Sequence, residues 1–421
     1  MPLLDQGVDS TIQTASDRCI VVFDLASSGH HPVYIQHLVS HWRQNHLPGT
    51  LQIVVSPEFI NRHPKVVSLA LETAQSQIQF TAITAEEYAH YQSQTSLISR
   101  SFAEWNLFCR YASQLQATYG LLMYFDSLQV PLLLGKKPPC PVGGIYFRPT
   151  FHYSEFANYK PAHTDRIRQW RQKLLLRLIL RKPEVDTLFC LDPFVVKQIE
   201  QFGEPVRVVP LADPVQLHMC DRTVAEQLRQ ELGIGRDRTV FLMLGELSAR
   251  KGMHQVFEAI SALPSAARQR VCLVLAGAIC VSERAEIEAG IQQVSQSATQ
   301  IIVCDRYIRE PQPFFEMADV VLAPYQRHVG MSSILVHAAA VQKPVIASDF
   351  GLMGELVRRY QLGLAVDAEK PGAIAQSILE ALDGLDRQCD RQKMEHFVNQ
   401  NLAENFVKTL SDQLLNQTQT R

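Results

Sequence analysis

Residues 320–357, VVLAPYQRHVGMSSILVHAAAVQKPVIASDFGLMGELV, constrain the fold of this 421-residue chain more than any other stretch. VVLA is a short apolar run closed by Pro324, and KPVIAS is a second one. Between them SSILVHAAAVQ has the serine start and alanine content of a buried helix. Two strands with a helix between them make a parallel βαβ unit. Such units bind ligands at the carboxyl ends of their strands, where a loop and a helix N-terminus present backbone N–H groups to an anion. GMSS (330–333) falls at that point.

The same grammar recurs on both sides of this unit. VFLMLGELSARKGMHQVFEAI (240–260) is an apolar strand, a glycine at its end, then Arg250 and Lys251 just before a helix that begins near Gly252. Cations at a helix N-terminus form a site for a diphosphate. VCLVLAGA (271–278) and IIVCDR (301–306) begin with further strands. In the amino-terminal half CIVVFD (19–24) reads as a strand, ASSGHH as a loop and PVYIQHLVSHW (32–42) as a helix opened by Pro32. LQIVVSP (51–57) and IQFTAI (78–83) are strands, Leu97 to Tyr119 is a helix, and GLLMYFD is a strand ending at Asp126.

A chain of this length holds two domains of roughly 200 residues each, so the expected class is α/β with two doubly wound sheets. A formal charge of −2 lacks the basic excess of a protein that clamps nucleic acid. The nine cysteines form no C-x-x-C pair, which argues against a disulfide framework or a zinc site and fits a reducing cytosol. The first 18 residues read as a polar, disordered leader with no secretory h-region, and no apolar run reaches the roughly 18–20 residues that span a bilayer. Any membrane association is expected to be peripheral. One segment is strongly basic: RIRQWRQKLLLRLILRK (166–182) carries seven Lys or Arg and a leucine-rich face. Two readings compete for it, an amphipathic helix on the inner face of an anionic membrane and a packing helix with a solvated basic face.

Candidate residues follow from position. Gly29 lets the first loop approach a bound group, and His30 precedes the first helix. Asp126, at a strand end, suits acceptor contact or base work, or else caps a helix starting at Ser127. Arg148 and His152 follow the strand PVGGIYF, and Arg148 can hold an anionic acceptor bidentately; the plain alternative is that both anchor a loop. In the central stretch Gly330 and the N–H groups near Ser332, Ser333 and Ile334 face a diphosphate. His337 lies four residues beyond Ser333 on the same helical face, and His328 offers a polar group beside Val329.

KPVIASDFGLMGELV resembles the pattern G-K-P-V-I-A-S-D-x-G-G-x-x-E-L-V of glycosyltransferase family 4 (group 1), and VFLMLGELSARKGMHQVFEAI and FFEMADVVLAPY resemble two further family segments. The resemblance implies the GT-B architecture, two Rossmann-like domains facing a central cleft. Its boundaries are then 1–212 for the acceptor side, 213–390 for the nucleotide-sugar side and 391–421 for helices crossing back to the first domain. It implies a donor site in which Arg250 and Lys251 meet the diphosphate, Arg306, Tyr307 and Ile308 frame the base and His337 meets a ribose hydroxyl. This chain departs from the pattern at four places. Val329 and His337 stand where the family carries two glutamates, Glu246 where it carries an arginine, and Phe147 where it carries a histidine.

The function implied is a retaining transfer of sugar from a nucleotide diphosphate sugar to a glycan, lipid or small-molecule acceptor. No cofactor or metal is expected, in keeping with the lack of any D-x-D pair in the sequence. The alternative is a non-catalytic GT-B protein that binds a nucleotide, a glycan or a partner.

Overall fold

The computed structural model describes residues 18–70, 77–156, 159, 163–217, 221–385 and 388–416. Residues 1–17 of the leader therefore lie outside the described residues. The chain divides into two units. The first comprises 1–149, 171–211 and 406–421, and the second 150–170 and 212–405.

The first unit is built on a seven-stranded sheet in the order β3-β2-β1-β4-β5-β6-β7. Its strands are β1 (Cys19–Asp24), β2 (Thr50–Val55), β3 (Ile78–Ala82), β4 (Tyr119–Leu122), β5 (Val142–Tyr146), β6 (Val185–Cys190) and β7 (Arg207–Pro210). All pairings are parallel. The second unit holds a six-stranded parallel sheet, β10-β9-β8-β11-β12-β13. Its strands are β8 (Thr239–Leu244), β9 (Val271–Ala276), β10 (Gln300–Cys304), β11 (Val320–Ala323), β12 (Val345–Ser348) and β13 (Gly363–Val366). Helices cover the sheets, so the strands read as unbroken apolar runs, as in VCLVLA, every residue of which is buried. Phe241, Leu273, Leu275 and Ile346 pack with Val256, Phe257, Ile260 and Ile378 in one core. Burying each such side chain contributes about 1.5–3 kcal/mol.

In each sheet the strand order reverses once, between β1 and β4 and between β8 and β11. Those switch points open a crevice at the carboxyl ends of the strands. Five helices matter most for them: α1 (His31–Gln44), α2 (Leu97–Gln114), α3 (Phe125–Leu134), α5 (Met253–Ala262) and α6 (Ser333–Ala340). Helix α4 (His163–Leu180) runs through the division between the units, α7 (Gly351–Tyr360) follows β12, and α8 (Ala403–Asn416) ends the described chain.

Two differences from the sequence expectation concern chain division. Residues 150–170 belong to the second unit rather than to the block 1–212. Their attachment is visible in side chains, since Tyr159 packs on Phe350 with centroids 5.0 Å apart and Asp165 pairs with Arg327 at 3.6 Å. The block 391–421 is also split: the helix Arg391–Gln400 belongs to the second unit, and the chain returns to the first only from Phe406. There Phe406 stacks against Tyr34 at 4.8 Å.

Candidate active site

The second unit's crevice is made by loops that touch through glycines. Gly245 follows β8 with φ +105, and a Cβ there would lie 2.4 Å from the Lys251 ammonium. Gly252 caps α5 with φ +81, and a Cβ would fall 2.2 Å from the Pro324 carbonyl oxygen. The backbone N–H of Gln326 donates to the Arg250 carbonyl at 2.8 Å. The β8 and β11 loops are thus held against each other at the switch point. Gly351, with φ +62, brings the β12 loop up to the carbonyls of His328 and Val329.

Lys251 is buried in this arrangement. Its Nζ donates to the Leu244 carbonyl at 2.5 Å and stands 5.0 Å from the Tyr325 ring centroid. Arg250 is exposed, with its guanidinium 5.9 Å from the same ring. Two cations therefore lie over one aromatic ring beside the start of α5. Helices α5 and α6 both begin without a side-chain cap, at Gly252 and at Ser332. Their first N–H groups are left for an anion.

The β11 loop carries the remaining central residues. His328 bonds through Nε2 to the Met331 carbonyl at 3.1 Å, so its ring shapes the loop. Gly330 is half-buried, Ser333 is exposed and Ile334 is buried. His337 lies one turn into α6 with its ring stacked on Phe315 at 5.1 Å. Arg306, Tyr307 and Ile308 follow β10, the edge strand, which β9 separates from β8. Tyr307 is 81% exposed. The structure thus brings Arg250, Lys251 and the 328–333 loop together, and sets Arg306–Ile308 at the rim of the sheet.

The first unit's crevice has different chemistry. Asp24, the last residue of β1, is buried; its Oδ1 accepts from the Ala26 N–H at 3.0 Å and its Oδ2 meets His31 Nδ1 at 2.7 Å. Burial opposes a charged imidazole, but the hydrogen bond to Asp24 and the charges of Asp24 and Glu104 leave His31 with a raised pKa. Glu104 reaches the same place from α2, and burial, then the charge of Asp24, pushes its carboxyl up to about 8. His30 is exposed above this pair, beside His31 (4.4 Å), Tyr34 (5.0 Å) and Phe147 (4.6 Å). Its pKa is lowered to about 4 by desolvation and by the neighbouring His31 and Arg148. Gly29, with φ +70, turns the loop over, and nothing lies within 4 Å of where its Cβ would be.

Asp126 needs correction. Strand β4 stops at Leu122 and α3 starts at Phe125, so Asp126 lies in the first turn of a helix and not at a strand end. Its two oxygens accept from the backbone N–H groups of Phe147 (2.8 Å) and Arg148 (3.0 Å). Burial raises its pKa to about 6 against those bonds. The carboxylate is a clamp on the loop after β5, with both oxygens already used. Arg148 and His152 do not act as neighbours of one loop either. Arg148 is exposed in the first unit, where its carbonyl accepts from Gln172 at 2.7 Å. His152 is 2% exposed, in a 3-10 turn of the second unit among Phe151, Tyr153 and Phe156.

The pair Asp24–His31, with Glu104 beside it, is what the sequence reading missed. Its signal was present: an aspartate as the last residue of the strand at the switch point, followed by a helix whose first residue is histidine.

Residues 224–397 match the family model for glycosyl transferases group 1. Over 206 residues the chain is 28% identical to a lipopolysaccharide 1,2-N-acetylglucosaminetransferase of Salmonella typhimurium, a match covering 46% of this chain and 53% of that protein. The chain thus spans about half the length of that curated relative. Among solved structures, a glycosyltransferase from Rickettsia africae superposes with a TM-score of 0.66 at 12% identity, covering 96% of this chain and 99% of that one. An Anabaena protein solved in complex with UDP gives a TM-score of 0.63 at 12% identity, over 94% and 99%. The likeness to the solved structures establishes a GT-B fold.

Proposed function

We propose that this chain, whose residues 224–397 match the family model for glycosyl transferases group 1, moves a sugar from a nucleotide diphosphate sugar to a glycan or lipid acceptor. The observation that carries the reading is the buried Lys251 at the second unit's switch point, with Arg250 beside it and the bare N-termini of α5 and α6 nearby.

The chemistry follows from charge. When the sugar–phosphate bond breaks, negative charge grows on the leaving diphosphate, and donors already fixed at that place stabilise it without reorganising. Lys251 is such a donor: the Leu244 carbonyl and the Tyr325 ring hold it in place before any ligand arrives. Arg250 supplies a second positive charge, and with two cations and two helix ends the departure needs no metal. In the reading, the sugar keeps its anomeric configuration, and the acceptor hydroxyl is received in the first unit beside His31 and the rings of His30, Tyr124 and Phe147. A reducing, cytoplasmic setting belongs to this reading, in keeping with nine cysteines that form no C-x-x-C pair. The Anabaena protein's complex with UDP supports a uridine diphosphate sugar as the first donor to try.

A second reading has its own observation. His337, where the resemblance expects one glutamate, stacks on Phe315, and Val329, where it expects the other, offers no carboxylate. That arrangement suits a protein that binds a nucleotide without turning it over.

The test is thermal unfolding with UDP, GDP, ADP and their sugar conjugates, followed by a transfer assay with the donor so chosen. A ligand at a hundredfold excess over its Kd stabilises the folded state by about 2.7 kcal/mol, several degrees for a unit of this size. A shift with one base, and release of that nucleoside diphosphate with acceptor, supports the transferase. A shift without turnover supports the second reading, and no shift with any nucleotide overturns both.

A further inference from the structure

Helix α4 has two apolar faces, and only one is covered. Gln169, Leu176, Ile179 and Leu180 are buried. On the opposite side Ile167, Trp170, Leu174 and Leu178 are 50%, 64%, 44% and 38% exposed. Their spacing of three, four and four residues lines them up as a single ridge at 3.6 residues per turn. Because all four belong to one continuous helix, the helix itself fixes the ridge.

Cations bracket this ridge on both sides. Arg171 and Arg168 fall on one flank, and Arg166, Lys173 and Arg177 on the other, by the same 100° per residue; all five are exposed. Arg177 and Arg181 share Glu204 at 3.7 and 2.8 Å, and Lys173 lies 5.8 Å over the Phe202 ring. Among the described residues, Arg166, Arg168 and Arg171 take part in no ion pair. The helix's own acid, Asp165, is matched by Arg327. The chain as a whole carries −2, so seven Lys or Arg in residues 166–182 are a local concentration.

We infer that α4 docks the protein on an anionic lipid surface, the ridge entering the headgroup boundary and the flanking arginines meeting lipid phosphates. Exposed tryptophan and leucine between rows of arginine are what such a boundary accommodates, since the rings and chains leave water while the guanidinium groups stay in it. Among the described residues no helix is long and apolar enough to cross a membrane, so the contact is peripheral. A zwitterionic surface offers the ridge the same hydrocarbon but no net charge for the arginines. The preference for anionic lipid is therefore the mark of this mode. The inference stands without the transferase reading, because docking is read with no nucleotide present.

Tryptophan gives the protein its own reporter. Trp42 and Trp105 are 2% and 0% exposed, so an environment change at the surface is read through Trp170. The full chain is mixed with vesicles of phosphatidylcholine, with and without phosphatidylglycerol, and followed by emission and co-sedimentation. The expected result is a blue shift and sedimentation with the anionic vesicles only. Trp170→Phe should remove the shift and keep the sedimentation. Leu174→Glu with Leu178→Glu should abolish both, and Arg166→Gln, Arg168→Gln and Arg171→Gln together should lower partitioning about a hundredfold. The charge variant alters only exposed side chains, so it decides the matter even where the glutamates disturb folding. Failure to bind either vesicle overturns the inference, as does binding unchanged in the charge variant. Self-association that the ridge variant abolishes, without vesicle binding, also overturns it and assigns the ridge to a second copy.

Discussion

The two switch-point crevices share a topology and differ in everything placed on it. In the second unit three loops meet through Gly245, Gly252 and Gly351, and the groups offered are a buried lysine, an arginine and bare helix ends. In the first unit the groups are an aspartate, an imidazole and a glutamic acid, with the rings of Tyr34, Tyr124 and Phe147 around them. A parallel sheet supplies a place for a ligand but not the ligand's charge. Close backbone packing and cations suit an anion; a hydrogen-bonding acid/imidazole pair under aromatic rings suits the hydroxyl and apolar face of a sugar. On the proposed function, one architecture used twice separates a phosphate-holding half from a hydroxyl-holding half.

The sharpest way to break that comparison is to add one methyl group to each crevice. Gly252 and Gly29 have nearly the same backbone, φ +81 and +70, but only Gly252 has an oxygen 2.2 Å from the missing Cβ. Gly29→Ala should cost about 1 kcal/mol, the ordinary penalty of a left-handed alanine. Gly252→Ala should cost about 4 kcal/mol, since strain and a backbone clash add. Urea unfolding followed by circular dichroism measures both. Equal costs would mean that the second crevice is no more tightly closed than the first.

Next in size is the phosphate side. Lys251→Gln keeps a donor for the Leu244 carbonyl and removes the charge. Loss of one fixed donor to a developing anion lowers turnover by about 10²–10³, and the nucleotide-induced rise in unfolding midpoint should vanish with it. His31→Gln should leave that rise intact while turnover falls. If His31→Gln also abolished it, the division into an anion half and a hydroxyl half would be wrong.

The acid/imidazole crevice also predicts a pH dependence confined to the first unit. Glu104 has a carboxyl raised from 4.5 to about 8, so between those values the folded state holds more protons than the unfolded one and stability falls as pH rises. His31, raised above 6.5, has the same sign: its contribution is whole below 6.5 and is lost as pH climbs through the folded value. His30, lowered to about 4, works in the opposite sense, but its effect is complete by 6.5. From pH 6.5 to 8 the first unit should therefore lose about 2 kcal/mol through Glu104 alone, at about 1.4 kcal/mol per pH unit. Trp42 and Trp105 are buried in this unit, so fluorescence-detected urea unfolding reports it. Glu104→Gln should flatten the curve, and a curve equally steep in that variant would remove Glu104 from the crevice's electrostatics.

What was legible in the sequence follows the same division. Strand β1 falls on residues 19–24 as the apolar run predicts, and the loop–helix grammar at 245–252 and 324–333 is local, so it could be read directly. The first unit's chemistry could not, because Glu104 joins Asp24 and His31 only through the packing of α2. The aspartate at the switch point is Asp24, the last residue of β1, and not Asp126. MYFD looked like strand, yet β4 ends at Leu122 and leaves Asp126 inside α3. Residues 150–170 join the second unit for a similar reason: Tyr159 and Asp165 find their partners at Phe350 and Arg327, 191 and 162 residues further along the chain.

The smallest effect concerns how firmly the β11 loop is held over the second crevice. Arg327 sits at φ +46, pairs with Asp165 at 3.6 Å and Glu369 at 3.4 Å, and lies 5.1 Å over the Phe350 ring. The guanidinium is exposed, so its ion pairs contribute little, and Arg327→Ala should cost about 1 kcal/mol or less in overall stability. Its reach is wider than its energy, because the same side chain ties segment 150–170 to the loops after β11 and β12. Hydrogen exchange should therefore speed up at residues 328–333 while the amides of β8 and β9 keep their protection. Unchanged exchange in that loop would show that the glycine contacts alone hold the phosphate side shut, which makes the contrast between the two crevices one of backbone packing more than of charge.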